Sequence, residues 1–148
     1  MVAAWGHETA SYGSWAELMI ASLLAALFLH LPGATNPAVT PATIHQTICV
    51  PGYSSSVRPS TSFTGPLKRI LFGEQRLPGT VADYQLDHAI SLELGGAPRD
   101  LRNLWLEAYP QARVTDRWEN RWHRRVCDGS WGLRYAQRVE LRFKRDRG

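Results

Sequence analysis

Apolar positions recur with helical spacing most clearly between residues 111 and 126. At about 100° per residue, Trp118, Trp122 and Val126 share one stripe of a helix. Asp116, Glu119, Asn120 and His123 fall together on a second arc, and Arg117, Arg121, Arg124 and Arg125 on a third. The pattern predicts a helix over Gln111–Val126 with a core face, a face of candidate ligands and a basic strip. Glu119 and His123, four apart, equally fit an ordinary solvent-facing pair. A final helix is predicted over Trp131–Phe143 with Leu133, Ala136, Val139 and Phe143 inward, and a short one over Pro66–Phe72 with Leu67, Ile70 and Leu71 buried and Pro66 in its first turn. Gly73 to Gly79 interrupts the latter. Tyr84–Ile90 reads as a strand entering a turn, with Leu92–Leu94 as a continuation before Gly95-Gly96-Ala97-Pro98, and Asn103–Leu106 as a second strand. Cys49–Thr64, rich in Ser, Thr, Pro and Gly, reads as irregular chain. The fold class is therefore α+β.

Upstream the pattern changes. Leu18–Leu31 is a run of 14 uncharged, mostly apolar residues ending at Pro32-Gly33. It is short of the roughly 20 residues a bilayer helix needs but suits the apolar region of a secretory signal. Ala34–Ala42 reads as a cleavage region and short linker. No Lys or Arg precedes the run, so an uncleaved anchor and a buried helix stay open as alternatives. The expected division is a signal-like or membrane-proximal segment, 1–48, and a functional domain, 49–148, secreted or at the cell surface of a bacterium. Cys49 and Cys127, the only cysteines, lack any CxxC spacing, which argues against a thiolate zinc site. Export favours a disulfide between them over two buried free thiols.

Size and charge narrow the picture. A chain of 148 residues, 44% apolar, suits one compact domain and excludes a large multidomain enzyme. The formal charge of +4 is unevenly spread: residues 1–48 carry only Glu8 and Glu17, leaving 17 basic against 11 acidic side chains in 49–148. Such a concentration favours a polyanionic partner, since neutralising phosphates releases counterions. No strand-linked Ser or Cys nucleophile elbow appears, and no nucleotide cofactor is implied.

Asp87-His88, Asn103 and the polar arc of the long helix suggest phosphodiester chemistry. A carboxylate and an amide oxygen suit a hard divalent ion, and a neutral imidazole accepts a proton from water. Three pieces, Tyr84-Gln-Leu-Asp-His-Ala-Ile-Ser-Leu-Glu-Leu-Gly-Gly-Ala-Pro98, Arg102-Asn-Leu-Trp105 and Asp116-Arg-Trp-Glu-Asn-Arg-Trp-His123 running on to Cys127, together resemble the HNH endonuclease family of small exported bacterial type. Weaker likeness extends upstream through Cys49-Val-Pro-Gly52, Val57-Arg-Pro59 and Leu67-Lys68.

The resemblance implies a ββα-metal nuclease core with additional helices. It further implies a metal-dependent endonuclease acting on nucleic acid, DNA by family likeness, with low sequence preference. In that scheme His88 is the general base, Asp87 an ion ligand, and Asn103 a ligand or a brace for the catalytic loop. The third ligand is Glu119 or His123, with Asp116 behind them. A carboxylate there favours Mg²⁺ or Mn²⁺, and a His ligand shifts the preference toward softer ions such as Zn²⁺. Arg117, Arg121, Arg124 and Arg125 would contact phosphates. Adjacent strand residues point to opposite faces, so Asp87 and His88 serve one centre only if the backbone is distorted there. Two alternatives are a non-catalytic nucleic-acid-binding domain that keeps the nuclease fold, and an exported protein-interaction domain using Trp5, Trp15, Trp105 or Trp131. Neither the oligomeric state nor the natural target is legible.

Overall fold

The computed structural model of the chain describes residues 33–147. The apolar run Leu18–Leu31, with the expectation of a signal or anchor attached to it, lies outside them. Four α-helices, α1 (Tyr53–Val57), α2 (Thr61–Gln75), α3 (Gln111–Cys127) and α4 (Leu133–Arg145), surround a hairpin of β1 (Tyr84–His88) and β2 (Leu104–Ala108). The class is mixed α+β, and β1, β2 and α3 follow in strand, strand, helix order, which matches the expected arrangement at the coarse level only.

The hairpin is antiparallel, with Leu86 opposite Leu106, Asp87 opposite Trp105 and His88 opposite Leu104. Side chains alternate across it. One face packs Tyr84 and Leu106 on Leu71 of α2, with Leu67, Phe72 and Leu86 around them. The opposite face turns to the two C-terminal helices: Glu107 accepts a hydrogen bond from Thr115 Oγ1 of α3 at 2.7 Å, and Asp87 meets Lys144 of α4. Beyond the hairpin, Val39, Ile48, Ile90, Leu94, Trp122, Val126, Leu133 and Ala136 form the larger core cluster.

Three elements depart from the hydrophobic pattern. The helix predicted over Pro66–Phe72 spans Thr61–Gln75, with Pro66 inside it, so the stretch Cys49–Thr64 is partly helical. Proline removes one hydrogen bond and crowds the carbonyl four residues earlier, a cost that tertiary packing of the helix outweighs here. Ile70, expected inward, is 54% exposed, whereas Leu71 is buried. Leu92–Leu94, read as continuing strand, forms a 3₁₀ turn ending at Gly95, whose φ of 76° lies in the left-handed region. A Cβ at the next residue, Gly96, would collide with Ile90 O.

Ala34–Ala42, read as linker, lies against the domain. Asn36 N donates to Gly95 O at 2.8 Å, Ala97 N to Ala34 O at 2.8 Å, and Val39 is buried in the larger core. Composition flagged its Pro and Thr content but carried no trace of these backbone partners. Cys49 and Cys127 form the expected disulfide, closing a separation of 78 residues between the chain before α1 and the end of α3.

Candidate functional site

The buried face of α3 carries Ala112, Thr115, Glu119, Trp122 and Val126. Glu119 therefore sits amid the inward stripe, and Trp118, expected in the core, is 37% exposed. Inward positions on α4 are likewise polar: Gln137, Glu140 and Lys144 join Leu133 and Ala136. Buried charges persist only when paired. Here the pairing converges on one ammonium. Lys144 Nζ, fully buried, donates to Asp87 Oδ2 at 3.0 Å, Glu119 Oε1 at 2.5 Å and His88 O at 2.6 Å, and lies 3.2 Å from Glu140 Oε1. Glu140 Oε1 also accepts from Ser91 N at 3.0 Å.

Carboxylates outnumber the ammonium, and the imbalance is taken up by protons. Burial pushes the Glu119 and Glu140 carboxyls above their usual range, only partly offset by Lys144. Burial alone would push Lys144 down, but Glu140, Asp87 and Glu119 outweigh it and hold the ammonium well above its ordinary value. Burial also raises Glu107 to about 7, against a relieving hydrogen bond from Thr115. Its Oε2 has no partner as a carboxylate, yet once protonated it can donate to neighbouring Asp87.

A carboxyl raised on folding favours the folded state below its unfolded value of 4.5, and that contribution is lost as pH rises through about 7. Glu107→Gln, a permanent mimic of the protonated form, should therefore stabilise the protein at pH 8 by on the order of 2 kcal/mol and change little at pH 4. Urea unfolding at both pH values checks this; equal effects at the two would show that Glu107 does not hold the proton.

These contacts overturn the expected divalent-ion centre on Asp87, Asn103, Glu119 and His123. The carboxylate oxygens of Asp87 and Glu119 that face the centre are bound to Lys144, whose ammonium stands as their internal counter-ion. Asn103, fully buried, spends its side chain on backbone: Oδ1 accepts from Ile90 N at 2.8 Å and Ala34 N at 3.3 Å, and Nδ2 donates to Ile90 O and Ala97 O. It braces the turn after β1. His123 lies apart, 2.8 Å from Ile48 O and 3.4 Å from Cys127 Sγ. Among the described residues, the His, Cys, Asp or Glu group close enough to hold an ion is Cys49, His123 and Cys127, and both its sulfurs are committed to the disulfide. The described residues thus form no divalent-ion centre of the expected kind, which argues against metal-dependent endonuclease activity and against an Mg²⁺, Mn²⁺ or Zn²⁺ cofactor.

β1 runs regularly through Asp87 and His88, so the two side chains turn to opposite faces, as strand alternation requires. His88 faces a cleft of about 270 Å³ between α2 and the hairpin, lined by Arg58, Lys68, Thr61, Thr64, Gln85 and Tyr109 among others. Its Nε2 lies 3.1 Å from Pro98 O, which accepts the ring proton and leaves Nδ1 as acceptor in the neutral ring. Burial, ahead of the other influences, lowers the imidazole below 6.5, so the ring is neutral at pH 7. Among the described residues no acidic side chain lines this cleft. Nearby, Arg113 stacks over Tyr109 at 5.6 Å and Arg99 over Phe63 at 5.3 Å. Arg58 and Lys68 thus form a cationic pocket with hydroxyl and amide groups beside it, suited to an anion.

Of the arginines expected at phosphates, Arg117, Arg121 and Arg124 are exposed on α3, with Arg121 over Trp118 at 5.4 Å. Arg125 is half-buried and leans over Trp131 at 4.8 Å. They lie on the helix that covers the Asp87 face, away from the His88 cleft. Sequence reading missed Arg58 and Lys68 as cleft-lining residues. Arg58 and Lys68 stood only in the weak upstream likeness, and the nine residues of irregular chain and helix between them hide their convergence.

Comparison with known proteins found no matching family model, no matching characterised protein and no matching solved structure. The HNH endonuclease resemblance drawn from the sequence is therefore not upheld, either by a relative or by an ion site.

Proposed function

We propose that this domain binds the phosphate backbone of nucleic acids without hydrolysing it. The observation that carries this reading is the His88 cleft: Arg58 and Lys68 line it beside the hydroxyls of Thr61, Thr64 and Tyr109 and the amide of Gln85, with no carboxylate of the described residues in the lining to neutralise them. A mixed-charge surface of ordinary solvating residues intersperses both signs, whereas a phosphate site keeps its cations free. Arg117, Arg121 and Arg124, exposed on α3 away from the cleft, act at longer range, where their charge steers the polyanion toward the domain. Neither set reads bases, so the binding is insensitive to sequence. The disulfide, together with the apolar run upstream, supports export, and the domain works outside the cytoplasm.

Fluorescence anisotropy with labelled single- and double-stranded DNA and RNA over a salt series tests the reading. The R58A/K68A variant should lose about tenfold or more in affinity at low salt, and its log-log salt slope should fall by about 2 on duplex DNA. R117A/R121A should weaken binding less. An R58A/K68A variant that binds every oligonucleotide like the parent would remove the cleft from the account.

A further inference from the structure

A second cavity, also of about 270 Å³, opens on another part of the domain between the chain at 48–54, the turn Leu92–Leu94 and α3. Its chemistry is opposite to that of the His88 cleft. Among the described residues Glu93 is the one carboxyl side chain in its lining, and Glu93 Oε2 is buried with no hydrogen-bond partner. Among the described residues Glu93 makes no ion pair. Asn120 donates through Nδ2 to Asp116 O at 2.8 Å, which leaves its Oδ1 as an acceptor. His123 uses Nε2 on Ile48 O, which leaves Nδ1 as an acceptor in the neutral ring. Ser54 and the half-buried Tyr53 complete the polar wall, and Val50 and Pro51 form an apolar rim.

An acceptor-rich pocket around an unsatisfied carboxylate calls for a ligand with several donors and a positive charge. A compact ion does not suit it, because Glu93 is outside the one His, Cys, Asp or Glu group among the described residues whose ligand atoms converge within 4.8 Å. A planar guanidinium does. Its donors are spread in a fork, its face stacks on a tyrosine ring, and the methylene stem that carries it packs on apolar surface such as Val50 and Pro51.

We infer that the pocket formed by Ile48–Ser54, Glu93, Asn120 and His123 binds a guanidinium group, with Glu93 as its counter-charge. The ligand is arginine, presented either free or as a side chain within a peptide. This site is independent of the nucleic-acid reading.

The test is titration of the intact, oxidised protein with N-acetyl-arginine methylamide, free arginine, and the neutral isostere N-acetyl-citrulline methylamide, followed by amide NMR. The arginine probe should give saturable shifts confined to residues 48–54, 92–94, 120 and 123, and citrulline should bind at least about tenfold more weakly. Tighter binding of the capped probe assigns the site to peptide arginine; tighter binding of free arginine assigns it to the amino acid. Glu93→Gln should weaken the arginine probe about tenfold, and Asn120→Asp, which adds a carboxylate at an exposed position, should tighten it. Because the two variants move affinity in opposite directions, a folding defect cannot imitate the pair. Shifts that do not saturate, or equal affinity for arginine and citrulline, or an unchanged affinity in both variants, would each overturn the inference.

Discussion

Lys144→Met is expected to destabilise the domain by about 3–5 kcal/mol at neutral pH, the largest effect of any single substitution considered. The ammonium is fully buried against Asp87, Glu119 and Glu140, so its loss leaves three carboxyls facing one another without a counter-charge. Methionine fills much the same volume, which separates the electrostatic loss from a cavity cost. The carboxyls of the variant can relieve their repulsion only by taking up protons. The deficit should therefore shrink as pH falls toward 4 and grow toward 8. Urea unfolding of parent and variant across that range measures both. A loss under about 1 kcal/mol at pH 8 would mean that Lys144 is not the counter-ion that holds the helices to β1.

Removing the disulfide should cost about 2–4 kcal/mol. Cys49 lies beside the core residue Ile48, and Cys127 follows the buried Val126, so the bond ties the first packed segment to the end of α3. Most of the loss is expected from the unfolded chain, which regains the freedom of a loop spanning 78 residues. C49A/C127A unfolded at the same denaturant concentration as the oxidised parent would show that the bond constrains nothing the core does not already hold.

The long amphipathic helices were legible because their periodicity is strong: α3 lies within one residue of its expected end, and both strands of the hairpin were found. The centre was not legible for a physical reason. Glu119 was placed on a ligand face because a carboxylate next to His123 on a helix arc looks solvent-facing or metal-facing. A buried glutamate becomes plausible only once Lys144, 25 positions later, is known to reach it. Lys144 itself stood at the edge of a charged tail, Lys144-Arg145-Asp146-Arg147, where composition predicts fraying. Its long side chain instead enters the core one turn after Glu140.

Asp87 and His88 show the opposite lesson. Adjacent in sequence, they suggested one reactive pair, and strand alternation, a rule stated from the outset, sends them to different faces. Asp87 holds Lys144, and His88 faces the cationic cleft. The disulfide was legible from cysteine count because two residues allow only one pairing. Arg58 and Lys68 were not, since their convergence depends on how α1 packs on the Leu92–Leu94 turn and α2 on the hairpin.

If the domain binds nucleic-acid phosphates through its own cations, it needs no divalent ion. The most direct test mixes oxidised protein with an end-labelled oligonucleotide in EDTA, in Mg²⁺ and in Mn²⁺, and measures affinity and fragment length in the same samples. Salt-dependent binding should persist in EDTA, and the oligonucleotide should stay full length in all three. Binding abolished by EDTA, or cleavage that appears with either ion and disappears with the chelator, would contradict the proposal.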